Sequence, residues 1–262
     1  MGHHGQMHAH PGLGVNPDTP VESGTGFDEQ DDSRRGYLPA TSFRSRRSAL
    51  SPAQRELWER LWPQLGRQAR SESDTAPLDA GAWFGRQAPL VLEIGCGNGA
   101  STLAMAQAEP DVDVIAVEIY RRGLAQLLAG IYSAGVPNIR LIRGNAVDVL
   151  QHLIPSESLT GVRVFFPDPW PKARHHKRRL LQPATIAMIA DRLLPGGVLH
   201  AATDHSGYAE HIAEVGDAEP RFVRVDPHTE AVPISVVRPV TKYETKARHE
   251  GRDVTELIWK RR

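Results

Sequence analysis

Apolar positions follow two alternating patterns between residues 90 and 216, and this alternation predicts the fold. Short, nearly continuous apolar runs indicate buried strands, and the segments between them carry apolar residues at helical spacing. The predicted strands are residues 90–95, 112–118, 139–143, 162–167 and 197–203. The predicted helices are residues 100–109, 120–134, 182–193 and 206–216. A βαβ series of this kind predicts a doubly wound, mostly parallel α/β sheet.

The segments around this series divide the chain into three predicted parts. Residues 1–40 are rich in Gly, Pro, His and acidic residues and lack apolar periodicity, so they are predicted to form a disordered tail. Residues 41–88 are predicted to contain a basic arm, one helix and a polar connection from residue 66 onward. Residues 89–262 hold the βαβ series and end in two strands, residues 222–226 and 253–260, which are separated by a loop and a helical stretch at residues 241–249.

The helix predicted in the second part has clear start and stop signals. Ser51 is followed by Pro52 at the first helical position and by Gln54 in capping-box register. Trp58 and Trp62 are predicted to be core contacts on its apolar stripe. A proline at position 63 is predicted to end the helix.

The formal net charge of zero hides a separation of charge along the chain. Residues 1–40 carry six acidic residues and two arginines, so the remainder carries a net charge of +4. Cationic residues cluster at residues 34–47 and 172–179. Each cluster alone is more often a solvated surface than a binding site, but a neutral protein can still present a basic face to phosphates.

The remaining composition limits the class of protein. A single cysteine excludes an internal disulfide and is typical of a reducing compartment. The sequence shows no apolar stretch long enough to span a bilayer and no signal-peptide pattern. We therefore expect a cytoplasmic protein that does not bind a membrane. The histidines of the first ten residues lie in a segment without fixed geometry, so no metal site is expected.

The most specific cofactor signal is L-V-L-E-I-G-C-G-N-G-A at residues 90–100. Gly95, Gly97 and Gly99 join a predicted strand to a predicted helix, so the backbone can approach a nucleotide-type cofactor closely. The spacing also satisfies the dinucleotide fingerprint G-x-G-x-x-G/A. Glu93 favours S-adenosylmethionine, because a carboxylate repels a pyrophosphate but attracts the ammonium and sulfonium of this cofactor. E-x-G-x-G-x-G resembles the first motif of class I methyltransferases.

Polar residues also follow the next two predicted strands. Glu118 ends the second strand, where a carboxylate can accept hydrogen bonds from both ribose hydroxyls of an adenosyl group. Asn145 follows the third strand, where an amide offers a donor and an acceptor to adenine. Cys96 lies inside the glycine loop and is interpreted as a small packing residue rather than a nucleophile.

Residues 165–179, F-F-P-D-P-W-P-K-A-R-H-H-K-R-R, leave the fourth predicted strand at the edge where open α/β sheets bind substrates. Three prolines restrict the backbone around Asp168 and Trp170. A carboxylate, an aromatic face and five cations beside a methyl donor are suited to a base within a phosphate-rich polymer.

This segment resembles the motif F-P-D-P-W-P-K, followed by A-R-H-x-K-R-R, of the bacterial tRNA (guanine-N7)-methyltransferases. The resemblance continues in Thr203-Asp204-His205 and covers roughly residues 42–262. It implies a Rossmann-like, seven-stranded class I methyltransferase sheet with an antiparallel last strand. It also implies S-adenosylmethionine as cofactor and guanosine 46 of the tRNA variable loop as target. The oligomeric state, monomer or homodimer, stays open.

The resemblance also implies roles for individual residues. Besides the three glycines, the positions that match the cofactor site are Glu93, Glu118, Asn145 and Asp168, and Asp168 also matches the catalytic residue. The positions that match the substrate site are Lys172, Arg174, His175, His176, Lys177, Arg178, Arg179, Asp204, Thr241, Lys242, Tyr243 and Glu244.

Three other functions are compatible with parts of the sequence. Enzymes that methylate exocyclic amines use a [D/N]-P-P-[Y/F/W] loop, but Asp168-Pro169-Trp170-Pro171 has a different order. A dinucleotide-dependent dehydrogenase is disfavoured by Glu93 and by the basic loop. A non-catalytic RNA-binding protein on the same fold would not need the carboxylates of a cofactor site.

Overall fold

A computed structural model describes residues 1, 49–69, 76–240, 244–245, 249 and 251–262. The helices within them are α1 Pro52–Leu65, α2 Ala80–Phe84, α3 Ala100–Ala108, α4 Arg121–Ala134, α5 Ala146–Asp148, α6 Pro183–Arg192 and α7 Ser206–Asp217. The strands are β1 Gly66–Gln68, β2 Leu90–Ile94, β3 Asp113–Glu118, β4 Ile139–Arg143, β5 Leu159–Phe165, β6 Leu193–Thr203, β7 Phe222–Arg224 and β8 Thr255–Arg261. A π-helical turn follows α5 at Val149–Leu153, and a 3-10 helix covers Ala173–Arg178.

The strands form one sheet in the order β1-β4-β3-β2-β5-β6-β8-β7. All pairs from β1 to β6 are parallel, whereas β8 is antiparallel to both of its neighbours. The predicted doubly wound, mostly parallel α/β sheet with an antiparallel last strand is therefore confirmed. The successive residues Val91 and Leu92 of β2 belong to different hydrophobic clusters, because both faces of the sheet are covered.

The sheet of the described residues has eight strands rather than seven, and the prediction that residues 66–88 are only a connection is wrong. β1 pairs in parallel with β4, and the N–H of Ala69 donates to the carbonyl oxygen of Arg143 at 2.8 Å. β1 consists of one glycine and two polar residues, so no apolar pattern marks it in the sequence. Its pairing with β4 defines it instead. α2 follows, with the Asp79 side chain accepting from the N–H of Ala82 at 2.9 Å.

The start of α1 is confirmed, but its predicted end is not. Gln54 N–H donates to Ser51 Oγ at 3.2 Å, and Ser51 N–H donates to Gln54 Oε1 at 3.1 Å. The helix continues through Pro63 to Leu65. Its apolar stripe packs into one of the two core clusters, where Trp58 is buried and stacks on Trp62, and this burial outweighs the hydrogen bond that a proline cannot donate.

Several predictions fall on residues that the structure does not describe. The predicted tail, apart from Met1, and the basic cluster at residues 34–47 lie outside the described residues, as does most of the helical stretch predicted at residues 241–249. Among the helices that are described, none is long and apolar enough to cross a membrane.

Candidate active site

The predicted cofactor and substrate residues come together at the carboxyl edge of the parallel strands. Glu93 lies near the end of β2, Glu118 ends β3, and Asn145 follows β4. Asp168 follows β5, and Asp204 follows β6. These five strands are parallel neighbours, so their carboxyl ends share one edge, which is where open α/β sheets bind ligands.

The glycine loop after β2 has a backbone that other residues rarely adopt. Gly95, Gly97 and Gly99 have φ angles of 76°, 58° and 76°. A Cβ on either of the first two would meet no atom within 4 Å, so space stays open beside the loop. A Cβ on Gly99 would lie only 2.5 Å from the Cβ of Leu127 in α4. The third glycine is therefore also needed for the packing of the loop against α4.

Gly123 belongs to this loop as well, although sequence reasoning missed it. A Cβ on Gly123 would lie 2.2 Å from the carbonyl oxygen of Gly97. The absent side chain lets the first turn of α4 approach the glycine loop. The sequence does carry a signal for it, because a glycine within a helical pattern usually has a packing or functional reason.

Glu118 connects the end of β3 to the glycine loop. Its Oε2 accepts from the N–H of Gly97 at 3.0 Å, and its Oε1 accepts from the N–H groups of Ile119 at 2.7 Å and Tyr120 at 3.1 Å. Burial raises the pKa of Glu118, although these three N–H groups lower it in part. Asp168 also raises this pKa. The two carboxylates therefore lie within electrostatic reach of each other.

Glu93 is a buried carboxylate with one oxygen left over. The residue is 3% exposed, and its Oε1 accepts from Thr102 Oγ1 at 2.9 Å. Its Oε2 is buried and has no hydrogen-bond partner among the described residues. Burial raises the pKa of Glu93, against the lowering effects of Arg163 and Thr102. A buried acceptor without a partner beside a glycine loop fits a cationic group such as the ammonium of S-adenosylmethionine.

Cys96 has the environment of a packing residue. It is buried, and burial together with the charges of Glu93 and Glu118 holds the pKa of its thiol well above the ordinary value. Since the thiolate is the nucleophilic form, these surroundings are unsuited to covalent catalysis.

Asn145 is held in place by the helix that it caps. Its Oδ1 accepts from the N–H of Val147 at 2.9 Å at the start of α5. The side-chain oxygen is thus engaged, and the NH2 group is the part of the amide suited to contact a ligand.

The segment after β5 is strained on both sides of Asp168. Phe166 and Trp170 have φ angles of 51° and 44°, in the left-handed region that bulky residues rarely occupy. β5 therefore ends at Phe165 rather than at the predicted residue 167. Asp168 itself is exposed. Strained backbone of this kind persists where surrounding contacts impose it, and such segments concentrate at functional sites.

The basic segment that follows supplies contacts to this strained segment. Arg178 lies over the ring of Trp170 at 5.1 Å, and His175 meets the same ring edge-on at 5.9 Å. The pKa of His175 is lowered by partial desolvation and by the cations Arg178, Arg174 and Lys172.

Arg179 does not occupy the predicted position on an RNA-binding surface. It is 3% exposed, and its guanidinium donates to the carbonyl oxygens of Pro169 at 2.9 Å and Gly207 at 3.3 Å. It also lies over the ring of Tyr208. Its donors are engaged by the backbone, so it anchors the Asp168 segment to α7. The cations that remain exposed are Lys172, Arg174 and Lys177.

Two acidic residues of the predicted substrate site are engaged in ion pairs. Asp204 pairs with Arg252. Glu244 is buried and pairs with Arg238 at 2.7 Å, and both of these side chains are only 2% exposed. The neighbouring predicted residues Thr241, Lys242 and Tyr243 lie outside the described residues. Within the part of the chain that the structure describes, no group of three or more His, Cys, Asp or Glu side chains could hold a metal ion.

Sequence similarity to known proteins shows the family of the chain. Residues 87–257 match a family model described as "Putative methyltransferase". The tRNA (guanine-N(7)-)-methyltransferase of Mycobacterium bovis (strain BCG / Pasteur 1173P2) is 69% identical over 264 residues, which cover 100% of this chain and 96% of that protein. The protein of the same name from Mycobacterium ulcerans (strain Agy99) is 64% identical over 276 residues, with coverage of 100% and 99%.

A third relative of that name, from Mycobacterium avium (strain 104), is 65% identical over 266 residues and is matched along the whole of both chains. Identity of this extent over full lengths, together with the family model, confirms the resemblance seen in the F-P-D-P-W-P-K segment. The chain therefore belongs to the family of the tRNA (guanine-N(7)-)-methyltransferases.

Proposed function

We propose that this protein transfers the methyl group of S-adenosylmethionine to N7 of a guanosine in tRNA, and that this guanosine is residue 46 of the variable loop. The observation that carries the proposal is the meeting of two groups of residues at one sheet edge. Glu93 and Glu118 lie beside the glycine loop, and Asp168 lies on a strained loop followed by exposed cations. The names of the relatives support the reaction and the substrate, and the sequence resemblance supports position 46.

The chain offers a matching group to each part of the cofactor. The unpartnered Oε2 of Glu93 suits the ammonium group. Glu118 lies at the strand end where a carboxylate accepts from ribose hydroxyls, and the NH2 group of Asn145 is suited to an acceptor of adenine. When bound, S-adenosylmethionine supplies a methyl group activated by its positively charged sulfur.

The transfer itself requires alignment rather than proton removal. The bound cofactor would supply its methyl carbon to the lone pair of guanine N7, and the electrons of the carbon–sulfur bond would stay on sulfur. Positive charge would thus pass from the sulfur to the purine, and N7 carries no proton to be removed. Catalysis by the protein therefore consists of holding N7, carbon and sulfur in line and of stabilising the charge on the base.

Asp168 is the residue placed to perform one of these two tasks. It is exposed at the site edge and held between two strained positions, so its carboxylate is presented to a base with little freedom to move. It accepts from the N1–H and the 2-amino group of guanine, or it stabilises the cationic purine as the methyl group arrives. The first contact would select guanine over adenine, because adenine lacks both donors.

The exposed cations suit the polymer around the base. Lys172, Arg174 and Lys177 follow Asp168 directly and carry no described ion pair to a carboxylate. Each cation that neutralises a phosphate contributes to affinity in a salt-dependent way. A dinucleotide-dependent oxidoreductase would have to place its pyrophosphate beside the buried Glu93, and no observation of the structure favours it.

The test is methylation of a defined transcript. Purified protein is incubated with radiolabelled S-adenosylmethionine and an unmodified tRNA that carries guanosine at position 46, and N7-methylguanosine is mapped by borohydride–aniline cleavage. We expect cleavage at position 46 only. The matched control is the same transcript with adenosine at that position, which should incorporate no label. Equal labelling of both transcripts, or cleavage at another guanosine, would contradict the assignment of position 46, and no labelling of either would contradict the reaction.

A further inference from the structure

Arg238 lies in the loop between β7 and β8 and contacts several residues beside the candidate site. The sequence predicted no role for it. Its side chain is 2% exposed. Nη1 donates to Glu244 Oε2 at 2.7 Å, and Nη2 donates to Glu256 Oε1 at 3.0 Å. Burial lowers the pKa of Arg238, but the two carboxylates outweigh this effect and raise it overall. A single guanidinium therefore joins β8 to the last residue of the predicted substrate segment, Thr241–Glu244.

The same guanidinium also lies against the start of the Asp168 loop. It is 5.5 Å from the ring centroid of Phe165 and 5.0 Å from that of Phe166. These are cation–π distances, and Phe166 is the first of the two strained residues. Arg238 is thus in contact both with the start of the loop that carries Asp168 and with Glu244.

A row of polar side chains reaches Arg238 from the side of the predicted cofactor residues. Glu256 Oε2 is 2.7 Å from Nε2 of His200. Burial lowers the pKa of His200, and the nearby Glu256 raises it in part. In the sheet register His200 is paired with Arg163, and Arg163 is paired with Glu93. Registered residues of neighbouring strands point to the same face, so the row runs from the cofactor carboxylate toward Arg238.

We propose that Arg238 is a positioning residue for methyl transfer, which fixes the loop of Asp168 relative to Glu244. The inference rests on the proposed function, because it assumes that both parts contact tRNA. Two carboxylates and two aromatic rings converge on one planar cation, and a fork of this kind can orient all four partners at once. A lysine in its place keeps the charge but cannot satisfy both carboxylates in fixed directions.

The test compares Arg238→Lys with Arg86→Lys. Arg86 donates to Asp113 at 2.9 and 2.6 Å at the opposite edge of the sheet, so its replacement by lysine removes a similar fork away from the site. For Arg238→Lys we expect kcat/KM for tRNA to fall by about tenfold to a hundredfold, the range typical of a displaced catalytic constellation. We expect the Kd for S-adenosylmethionine to stay within about twofold of wild type. Arg86→Lys should retain wild-type kcat/KM.

Two further measurements keep the inference testable if Arg238→Lys is poorly folded. Glu256→Gln weakens one of the two ion pairs of Arg238, and the Glu256 side chain is 37% exposed, so the variant is expected to fold. Its kcat/KM for tRNA should also fall, but by a smaller factor than in Arg238→Lys. In a cycle with Glu244→Gln, the variant carrying both Arg238→Lys and Glu244→Gln should lose no more activity than the more impaired single variant. Such non-additivity is expected if Arg238 and Glu244 act as one unit.

Three results would overturn the inference. The first is wild-type kcat/KM in both Arg238→Lys and Glu256→Gln. The second is a fall in kcat/KM that is proportional to the fall in the unfolding midpoint or to the rise in the Kd for S-adenosylmethionine. The third is that the losses of the two single variants add in the double variant. Wild-type turnover on tRNA, measured in parallel, separates these results from a failure of the proposed function.

Discussion

Glu118→Gln tests the cofactor site most directly, because the contacts of Glu118 are known on both oxygens. The carboxylate accepts three backbone N–H groups, from Gly97, Ile119 and Tyr120. Two carboxylate oxygens offer about four acceptor positions, and the three N–H groups occupy three of them. A ribose diol donates two hydrogen bonds, so one hydroxyl takes the remaining position and the other competes with a backbone N–H. Glutamine keeps the shape but replaces one acceptor oxygen by an NH2 donor and removes the charge.

The expected magnitude follows from the lost acceptor. A hydrogen bond to a charged group contributes about 1.5–3 kcal/mol, and about 1.4 kcal/mol corresponds to tenfold in affinity. The Kd for S-adenosylmethionine should therefore rise about 10- to 150-fold in Glu118→Gln. The variant should also lose about 1–3 kcal/mol of unfolding free energy, since one backbone N–H group is left without its acceptor.

Isothermal titration calorimetry with S-adenosylmethionine measures the affinity, and a chemical denaturation curve measures the stability. Glu157→Gln is the matched control. It makes the same substitution on an exposed side chain, which pairs with Arg261. It should leave the Kd unchanged. A Kd within about twofold of wild type in a folded Glu118→Gln protein would refute the assignment of Glu118 to the ribose.

Three further predictions address other parts of the site. Asp168→Asn should lower the rate of single-turnover methylation by about a hundredfold at saturating tRNA and S-adenosylmethionine, since one preorganised charged contact is lost. A near-wild-type rate would mean that Asp168 only shapes the loop. The double variant Arg174→Ala/Lys177→Ala should weaken tRNA binding and reduce the slope of log K against log salt concentration by about two. Arg179→Ala should lower the unfolding midpoint and leave this slope unchanged. Equal slopes in wild type and both variants would contradict the distinction between exposed and buried cations. Burial raises the pKa of Glu93 above its ordinary value near 4.5, so ionising it costs folding free energy as the pH rises through the raised pKa. Glu93→Gln should therefore be more stable than the ligand-free wild type at about pH 8 and equally stable at about pH 4, while binding S-adenosylmethionine about tenfold or more weakly, and an unchanged pH dependence of denaturation would contradict this reading.

The local sequence determined the order of elements and the chemistry of the cofactor loop. Strands that are buried on both faces read as continuous apolar runs, and amphipathic helices read as a 3.6-residue period, so β2 to β6 and α3 to α7 were predictable apart from the short α5. Glycines with φ near 76° and a carboxylate at the strand end are equally local, since backbone sterics and strand position decide them. The F-P-D-P-W-P-K segment, in turn, indicated the family that the comparisons confirmed.

Features that depend on a distant partner were not readable in the same way. β1 has no apolar pattern and exists through its pairing with β4, which lies about seventy residues later in the chain. Arg179 is similar in sequence to the exposed cations before it, but the carbonyl oxygens of Pro169 and Gly207 surround it in the folded chain. A run of like residues carries no periodicity that separates buried members from exposed ones.

The tertiary structure alone decided how the two halves of the site are joined. Nothing in the sequence around Arg238 marks it as a residue of the site, because its partners come from β5, β8 and the substrate segment. A guanidinium is buried here where carboxylates, carbonyl oxygens or ring faces converge on it, and this convergence is a property of the completed fold. The sequence thus determined which polar and charged groups follow the parallel strands, whereas long-range packing decided which of the cations are exposed and which are buried.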